Sequence, residues 1–458
     1  MEYGRDFDFK RSFFEQFGEL IKDVPRAHLI SIGNENCEYV HLLLNSKNCY
    51  LSVSGKNNTD CWHCSFLDRC DSCLDSSSIE DSDNLYQCFS IKKSHDCSFS
   101  SFLENCSHCS HCFDCINCSN CIGCVWIKNK QFYIYNEPVT EEVFRSFVQN
   151  NPTIDQKKLE WLMVRHPRKN MNISETEQVI WDDVARSKNI YDSYSIQDST
   201  DIKYSYRGYF LHDSMDVIWT ADGSMLYEVL SCSNKPYRLA FTNLCYPNCS
   251  ELLLCDHCST SSNLFACIGL RNKSYCIFNK QYTREGYEEL VPQIIEHMKK
   301  TGEWGEFFPS SLSPFGYNET VAQEYYPLTK DEAMKNRAFN WSDYEAPFPK
   351  VEKIIPAAKL PEDISKIPDD ILNWAIECEV TGKPFRIIKQ ELEFYRKHNL
   401  PIPRRHPDQR HLDRMALRNP RKLFERKCDK CGVEMMTTYS NERKEIVYCE
   451  GCYNKEIL

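Results

Sequence analysis

The feature that most constrains this chain is a run of fifteen cysteines, Cys37 to Cys124, all separated from one another by multiples of three residues. An α-helix repeats every 3.6 residues and a flat strand every two, so neither explains a sustained period of three. Other positions of the same phase hold small or apolar residues such as Ser76, Ile79 and Leu103. A β-solenoid places its inward side chains in ladders at a fixed spacing. The pattern therefore predicts a solenoid packed around a ladder of thiols.

A weaker copy of the same pattern follows downstream. Its phase holds Ile202, Ser205, Gly208, Leu211, Ser214, Val217, Gly223, Leu226, Val229 and Cys232, and after a slip Cys249, Leu252, Cys255, Cys258, Ser261, Leu264, Cys267, Leu270 and Cys276. The two copies end alike at an offset of 143 residues, with Asn136 and Thr140 matching Asn279 and Thr283. Each ending predicts a closing strand and then a helix whose first turn is capped by threonine.

The predicted fold class is mainly β with helical caps: two tandem cysteine-laddered β-solenoids plus small C-terminal zinc-ribbon and treble-clef modules. The predicted domains are an N-terminal helical cap (1–36), the first solenoid (37–136), a helical cap and connector (137–195), a second, degenerate solenoid (196–280), a cap helix (281–300), a connector rich in proline and aromatic residues (301–370), a degenerate treble-clef module (371–415) and a zinc ribbon (416–458).

Composition favours a folded cytoplasmic protein. Charged residues make up 26% and hydrophobic residues 41% of the chain, and the N-terminal stretch is charged and amphipathic, unlike a secretory signal. No run of about eighteen apolar residues occurs, so we expect no membrane partner. In a reducing compartment, the 27 cysteines are expected to be free thiols or metal ligands.

The strongest chemical motif lies near the C-terminus, where Cys428 and Cys431 form one CxxC pair and Cys449 and Cys452 another. Two such pairs suit one tetrahedral Zn²⁺, because each tight turn presents two thiolates. We expect a single structural zinc, with a redox pair as the alternative. Four thiolates leave no open position for catalysis.

A second module precedes this motif and resembles the treble-clef pattern CxxCGxxFxxxxxEQxFYxxxGxxxPxRCxxCR. The resemblance places the four ligands on Cys378, Thr381, His406 and Gln409. Threonine and glutamine are not ordinary zinc ligands, so we expect the shape without the metal. The alternative is that Cys378 and His406 still hold a metal with other groups.

The whole chain resembles an uncharacterised family of cysteine-rich repeat proteins of candidate-phylum bacteria. The matching stretches are RSFFEQFGELIKDVPR, the CxxCxxC tract, LRNKSYCIFNKQYTREGYEEL, EWGEFFPSSLSPFGYNETVAQEYYPL, FRIIKQELEFYRKHNLPIPRRHPDQRH and MTTYSNERKEIVYCEGCY. The resemblance implies this architecture and no particular activity.

Charge is unevenly distributed along the chain. Residues 383–430 hold fifteen Lys and Arg against six Asp and Glu, in a chain whose net charge is −11. We expect this segment to bind a partner through Arg404, Arg405, Arg410, Arg414, Arg418, Arg421, Lys422, Arg426 and Lys427. Arginine suits phosphate contacts, which favours RNA, DNA or a ribonucleoprotein, and docking to a protein is the alternative.

The predicted function is that of a non-enzymatic zinc-binding scaffold or adaptor, whose C-terminal module docks onto nucleic acid or a ribonucleoprotein. Protein partners on the solenoid faces are also expected. No Walker A, GxGxxG, HExxH or GxSxG motif occurs, and no catalytic residue is predicted. In the competing hypothesis, the ladder residues Cys106, Cys109, Cys112, Cys115, Cys118, Cys121 and Cys124 hold Fe–S clusters or several zinc ions, or serve redox chemistry.

Overall fold

The computed structural model describes residues 2–150, 154–221, 230–233, 242–245, 250–345, 347–348 and 350–457. It contains two β-solenoids, as the period of three predicts. Of the positions in the second ladder, Gly223, Leu226, Val229 and Cys249 lie outside the described residues. Among the described residues, no helix has both the length and the apolar character needed to cross a bilayer.

The first solenoid follows helix α1 (Phe13–Asp23). Its strands are β1 (Ser31–Ile32), β2 (His41–Leu44), β3 (Val53–Lys56), β4 (Thr59–Trp62), β5 (Ser65–Asp68), β6 (Asp71–Leu74), β7 (Ser77–Glu80), β8 (Asp83–Tyr86), β9 (Phe89–Lys92), β10 (His95–Ser98), β11 (Ser101–Glu104), β12 (Ser107–Ser110), β13 (Phe113–Ile116), β14 (Ser119–Ile122), β15 (Gln131–Ile134) and β16 (Glu137–Pro138).

The next elements are α2 (Glu141–Gln149), α3 (Gln156–Arg165) and β17 (Arg168–Lys169). The second solenoid comprises β18 (Ile173–Ser174), β19 (Glu177–Ile180), β20 (Val184–Ala185), β21 (Lys188–Tyr191), β22 (Tyr194–Gln197), β23 (Thr200–Lys203), β24 (Tyr206–Tyr209), β25 (His212–Met215), β26 (Ile218–Ala221), β27 (Leu230–Ser233), β28 (Asn243–Cys245), β29 (Ser250–Leu253), β30 (Ser262–Phe265), β31 (Ser274–Ile277) and β32 (Lys280–Gln281). Its strands therefore begin within the range 137–195 that the sequence assigns to a cap and connector.

The C-terminal part begins with α4 (Arg284–Thr301) and α5 (Ala322–Tyr325). It continues through β33 (Lys353–Pro356), β34 (Trp374–Glu377), β35 (Pro384–Phe385), α6 (Lys389–Lys397), α7 (Pro407–Met415), β36 (Phe424–Lys427), β37 (Glu434–Thr437), β38 (Val447–Tyr448) and α8 (Glu450–Ile457). Short 3-10 turns lie at Ser310–Leu312, Tyr317–Glu319, Ala357–Lys359, Ile364–Lys366 and Asp369–Asn373, and a π turn lies at Glu332–Asn336.

Each full coil of the first solenoid takes twelve residues, because residues twelve apart pair in parallel register, as Ser65 does with Ser77. From β3 to β14, successive strands alternate between two sheets, one ordered β1-β2-β3-β5-β7-β9-β11-β13 and the other β4-β6-β8-β10-β12-β14-β15-β16. The residue before each inward one has a positive φ, for example 52° at Asn105 before Cys106. A left-handed residue at every third position turns the chain, so the coil has four corners and four short sides.

The twelve-residue register divides the inward residues into four columns with different tasks. One column is largely aliphatic and includes Leu67, Ile79 and Ile91, which are buried. Two other columns lie at the corners that connect one strand to the next. In these columns, the main-chain N–H of each inward residue points to the side chain of the inward residue twelve positions earlier. There Ser94 Oγ accepts from Cys106 N at 3.1 Å and donates to the Lys92 carbonyl at 2.8 Å. Serine and cysteine recur at these positions because an aliphatic side chain would leave that buried N–H without an acceptor.

Both solenoids close in the way the duplicated endings predict. The Asn136 side chain accepts from Val125 N and donates to Val125 O, both at 2.8 Å, and Asn279 makes the matching pair of bonds to Ile268. An antiparallel hairpin follows in each copy. The helix after it begins at a threonine N-cap, Thr140 for α2 and Thr283 for α4. These caps cover the last rung of each ladder.

Helix α1 packs on the end of the second solenoid. Its buried Phe13 and Phe17 contact Phe278, and the same core includes Met298 of α4. The Glu303 carboxylate accepts from the first amides of α1, Phe13 N at 3.0 Å and Phe14 N at 2.8 Å. The N-terminal helix predicted for residues 1–36 is therefore present, and it covers the final coils of the second solenoid.

Candidate metal centre

Four cysteines converge near the C-terminus. The Sγ atoms of Cys428, Cys431, Cys449 and Cys452 all lie within 4.8 Å of one another. Two sulfurs bound to one tetrahedral zinc at about 2.3 Å each would lie about 3.8 Å apart. Cys431 Sγ and Cys449 Sγ are 3.8 Å apart. The group can therefore hold one metal ion, and its donor set of four thiolates fits the motif from which it was predicted.

Local backbone structure places these thiols. Cys428 lies in the turn between the antiparallel strands β36 and β37, where Gly432 N donates to Cys428 O at 2.9 Å. Gly432 has a φ of +75°, which suits a residue without a side chain. Cys449 immediately precedes α8, and its N–H donates to Cys428 Sγ at 3.2 Å. The hairpin and the helix start thus bring the two CxxC pairs together.

The electrostatics of the site favour thiolate at its innermost position. Burial raises the pKa of Cys428, but main-chain N–H groups of Cys431, Cys449 and Lys430 outweigh that effect and bring the pKa to about 6. Hydrogen bonding with the neighbouring thiols, Cys431 first, raises the pKa of Cys452 to about 12. One thiolate is ready to bind a cation at neutral pH, and the cation would drive deprotonation of the others.

The turn at residues 378–383 has the same hydrogen bonds as the metal-site turn. Cys378 N donates to Lys383 O and Gly382 N to Cys378 O, both at 3.0 Å, as Cys428 N does to Val433 O and Gly432 N to Cys428 O at 2.9 Å. The backbone turn at Cys378 is therefore the same as the turn at Cys428, while the treble-clef resemblance of the whole module stays a prediction.

The side chains of the 378–409 module serve other contacts. His406 Nδ1 accepts from Asp408 N at 3.1 Å, which caps α7, and Gln409 Nε2 donates to Asp413 at 2.8 Å. Thr381 N donates to Cys378 Sγ at 3.5 Å. Among the described residues, Cys378 and His406 do not join a convergent group of three or more metal-ligating side chains.

The ladder thiols occupy a different environment. Cys106, Cys109, Cys112, Cys115, Cys118, Cys121 and Cys124 are all buried. Each donates to main-chain carbonyls, as Cys112 Sγ does to Ser110 O and Cys121 O, both at 3.4 Å. Burial raises the pKa of Cys64 to about 12 and also raises the pKa of Cys112. Such thiols pack the coil as small, partly polar side chains and are poor nucleophiles.

Eight of the nine basic residues in the predicted binding segment contact other groups of the chain, one of them being Lys422, whose Nζ lies 5.3 Å from the centre of the Phe424 ring. Arg404 pairs with Glu362, Arg405 with Glu379 and Asp413, Arg410 and Arg414 with Asp75, Arg418 with Glu324 and Arg426 with Asp429, while Arg421 stacks on aromatic rings. Lys422 and Lys427 are exposed. The segment is therefore largely an internal interface.

The buried part of this interface is ionic. Arg410 and Arg414, on one face of α7, are 4% and 5% exposed and share the carboxylate of Asp75 from the first solenoid. Glu391 lies 3.7 Å from Arg410 and 3.2 Å from His63. Burial opposes ionisation of Glu391, yet His63 and Arg410 lower its pKa to about 2. Charge is balanced here within the protein.

Asp75, Glu391 and His63 were not singled out from the sequence. Asp75 occupies a corner position like many other polar residues of the solenoid, so nothing local distinguishes it. The spacing of Arg410 and Arg414, four residues apart on α7, is the available signal, because it places both on one helix face.

The same C-terminal part also contacts the second solenoid. Arg421 lies between Tyr206 of β24 and Tyr325 of α5, with its guanidinium 3.4 Å and 3.2 Å from the ring centres. Thr438 donates to Asp182 at 3.3 Å. Strand β38, next to the metal site, pairs with β17, which follows the cap of the first solenoid. The four-cysteine module is thus attached at the junction of the two solenoids.

No protein-family model matches this chain, and a search of curated proteins finds no significant match. The fold and the cysteine group are therefore supported by the structure alone. The resemblance to a bacterial repeat family stays a prediction.

Proposed function

We propose that the protein is a non-enzymatic scaffold in which a structural Zn²⁺, held by Cys428, Cys431, Cys449 and Cys452, secures the C-terminal module against both solenoids. The observation that carries the proposal is the double attachment of this module. Arg410 is ion-paired with Asp75 of the first solenoid, and Arg421 is stacked on Tyr206 of the second. The result is one rigid body with long outer faces available to protein partners.

Zinc is the metal we propose because four thiolates in a tetrahedral group are its usual structural ligands. The role proposed for the ion is mechanical, since the coordination leaves no position for a substrate. Metal binding would fix the β36–β37 hairpin against α8, and through β38 it would fix the pairing with β17. Loss of the ion is expected to release this attachment before the solenoids unfold.

Limited proteolysis of the full chain tests the proposal. The zinc-loaded protein should resist cleavage between residues 416 and 458, and a strong chelator should expose that stretch while the solenoid core stays intact. Small-angle scattering should show a larger maximum dimension after chelation. Unchanged proteolysis and scattering after complete metal removal would contradict a mechanical role for the ion.

Docking onto nucleic acid or a ribonucleoprotein is proposed as a weaker, salt-sensitive activity of the same segment. It rests on Lys422 and Lys427, which are exposed, and on Arg404 and Arg405, whose side chains are 37% and 45% exposed. Few cations release few counterions, so affinity should be low. Fluorescence anisotropy with labelled RNA and duplex DNA should detect binding at 50 mM salt that is lost in a Lys422→Glu, Lys427→Glu variant. No binding at low salt would remove this activity.

A further inference from the structure

A compact group of imidazoles and carboxylates lies on the outer face of the first solenoid. Asp83 of β8 and His95 of β10 are partners in register on neighbouring coils. Asp96 and His108 occupy the adjacent corner column, also one coil apart, with φ values of 51° and 52°. The side chains of His95 and His108 are 47% and 55% exposed. The ladder thus presents four possible metal-ligating side chains on a rigid and accessible surface.

Two imidazole nitrogens approach one carboxylate oxygen in this group. Asp96 Oδ2 lies 2.9 Å from His95 Nε2 and 3.2 Å from His108 Nδ1. Two ligands bound at about 2.0 to 2.1 Å to one tetrahedral ion lie about 3.4 Å apart. The observed separations, 2.9 Å and 3.2 Å, are both shorter than that value. These three atoms do not converge as the four C-terminal thiols do, so the two exposed imidazoles would have to move toward each other around Asp96 to bind one cation.

The other nitrogen of His95 supports this arrangement. His95 Nδ1 contacts the carboxylate of Asp83. His95 Nε2 is also within hydrogen-bond distance of Asp96, and because a carboxylate only accepts, an N–H points to it there; a cation would bind by replacing that hydrogen. Histidine ligands of metals are commonly oriented in this way by a carboxylate on the far nitrogen. Once that hydrogen is replaced, donation from Nδ1 to Asp83 would keep the ring oriented with Nε2 toward the cation.

We propose that His95 Nε2, His108 Nδ1 and Asp96 form a second metal site that takes a divalent transition ion such as Ni²⁺ or Zn²⁺, with Asp83 orienting His95. Mixed nitrogen and oxygen ligands suit these ions and differ from the all-sulfur group near the C-terminus. Three protein ligands leave a position open to water or to an incoming group. The site is separate from the proposed scaffold role and does not depend on it.

Calorimetric titration with Ni²⁺ tests the site in the full chain, produced without a histidine tag and with its thiolate group already loaded with zinc. The wild type should bind one Ni²⁺ per chain at this site. His95→Ala and His108→Ala should each weaken that binding at least tenfold. Asp83→Asn should weaken it by about tenfold to a hundredfold, because Asp83 acts through His95.

His212→Ala is the matched control, since His212 is an exposed strand histidine of the second solenoid that contacts Thr200 and not a carboxylate. This variant should bind Ni²⁺ as the wild type does. Circular dichroism and thermal unfolding of each variant check that the ladder is intact. Failure of the wild type to take up Ni²⁺, or equal binding by a His95→Ala, His108→Ala double variant, would overturn the proposal.

Discussion

Arg410 of α7 and Asp75 of the first solenoid are separated by 335 residues in the chain and form an ion pair in which both side chains are buried. The pair joins the C-terminal part of the protein to a corner of the ladder. Because Asp75 also faces Arg414, its carboxylate is shared by two buried guanidinium groups. Its charge is therefore central to the attachment of the C-terminal module.

Asp75→Asn should destabilise this attachment strongly. Removing one partner of a buried ion pair costs about 3 to 5 kcal/mol, because the remaining charges stay buried without compensation. Asp81→Asn is the matched control. Asp81 is another corner residue of the same solenoid, and it pairs with the exposed Arg69, so its loss should cost about 0 to 1 kcal/mol. Thermal unfolding of both variants measures the difference, and equal midpoints would contradict the assignment.

The ladder thiols should react slowly in the folded protein. At pH 8, a thiol with a pKa of about 12, as at Cys64, is ionised in about one molecule in ten thousand, and burial also denies access to the reagent. A disulfide reagent should therefore modify few of the fifteen ladder thiols until urea is added, with the partly exposed Cys37 reacting first. Rapid reaction of most of them would favour a redox role for the ladder.

Cys431→Ser should remove the tightly bound metal. Elemental analysis of the wild type after gel filtration should find about one zinc per chain, since one thiolate group of four is present near the C-terminus. Cys124→Ser, which changes a buried ladder thiol, should keep that zinc. Iron in the wild type, or zinc lost equally from both variants, would mean that the ladder binds metal.

Asp182 should make stability depend on pH. Burial raises its pKa to about 6 from the ordinary aspartate value of 3.8. A folded pKa above the unfolded one means that its contribution is fully present below pH 4 and is lost as the pH rises through 6. Asp182→Asn should therefore stabilise the protein at pH 8, on the order of 2 kcal/mol, and change little at pH 4.

The control for this pH dependence is Asp183→Asn at the exposed neighbouring position. Urea unfolding of all three proteins at pH 4, 6 and 8 gives the comparison. Parallel pH profiles for the wild type and Asp182→Asn would show that Asp182 does not carry the effect.

Ser94 should be replaceable by cysteine and not by valine. The Ser94 hydroxyl accepts from Cys106 N and donates to Lys92 O, and a thiol can do both more weakly. Valine would leave the buried Cys106 N–H without an acceptor, at a cost of about 1 to 3 kcal/mol. Urea unfolding of Ser94→Cys and Ser94→Val measures the two effects. Equal free energies of unfolding for the two variants would show that position 94 does not require a polar side chain.

The sequence was sufficient for the solenoids, their duplicated caps and the four-cysteine group, because each depends on local periodicity or spacing. It was not sufficient for the twelve-residue coil, since a period of three is shared by coils with different numbers of sides. The structure shows this register, because it pairs aliphatic residues twelve positions apart, such as Ile79 and Ile91. These residues form one column, and the serine and cysteine residues form others.

The basic segment was the hardest part to interpret from sequence. A local excess of arginine has the same composition whether the side chains face a phosphate backbone or the protein's own carboxylates. The partners Asp75, Glu362 and Glu324 lie far away in the chain, so only the tertiary structure brings them to the arginines. The metal site differs because its hairpin joins residues close in sequence.

The twelve-residue coil fixes how the length of the first solenoid depends on the number of its residues. Twelve residues add one rung of about 4.8 Å, so duplication of a coil would lengthen the outer columns by one step and keep every side chain facing the same way. An insertion of a single residue would shift the phase of the following side chains unless a corner absorbs it, as happens in the second solenoid, where Glu177 pairs with Lys188 eleven residues later. The solenoid can therefore lengthen or shorten by whole coils, and the side chains of each outer column stay evenly spaced along it.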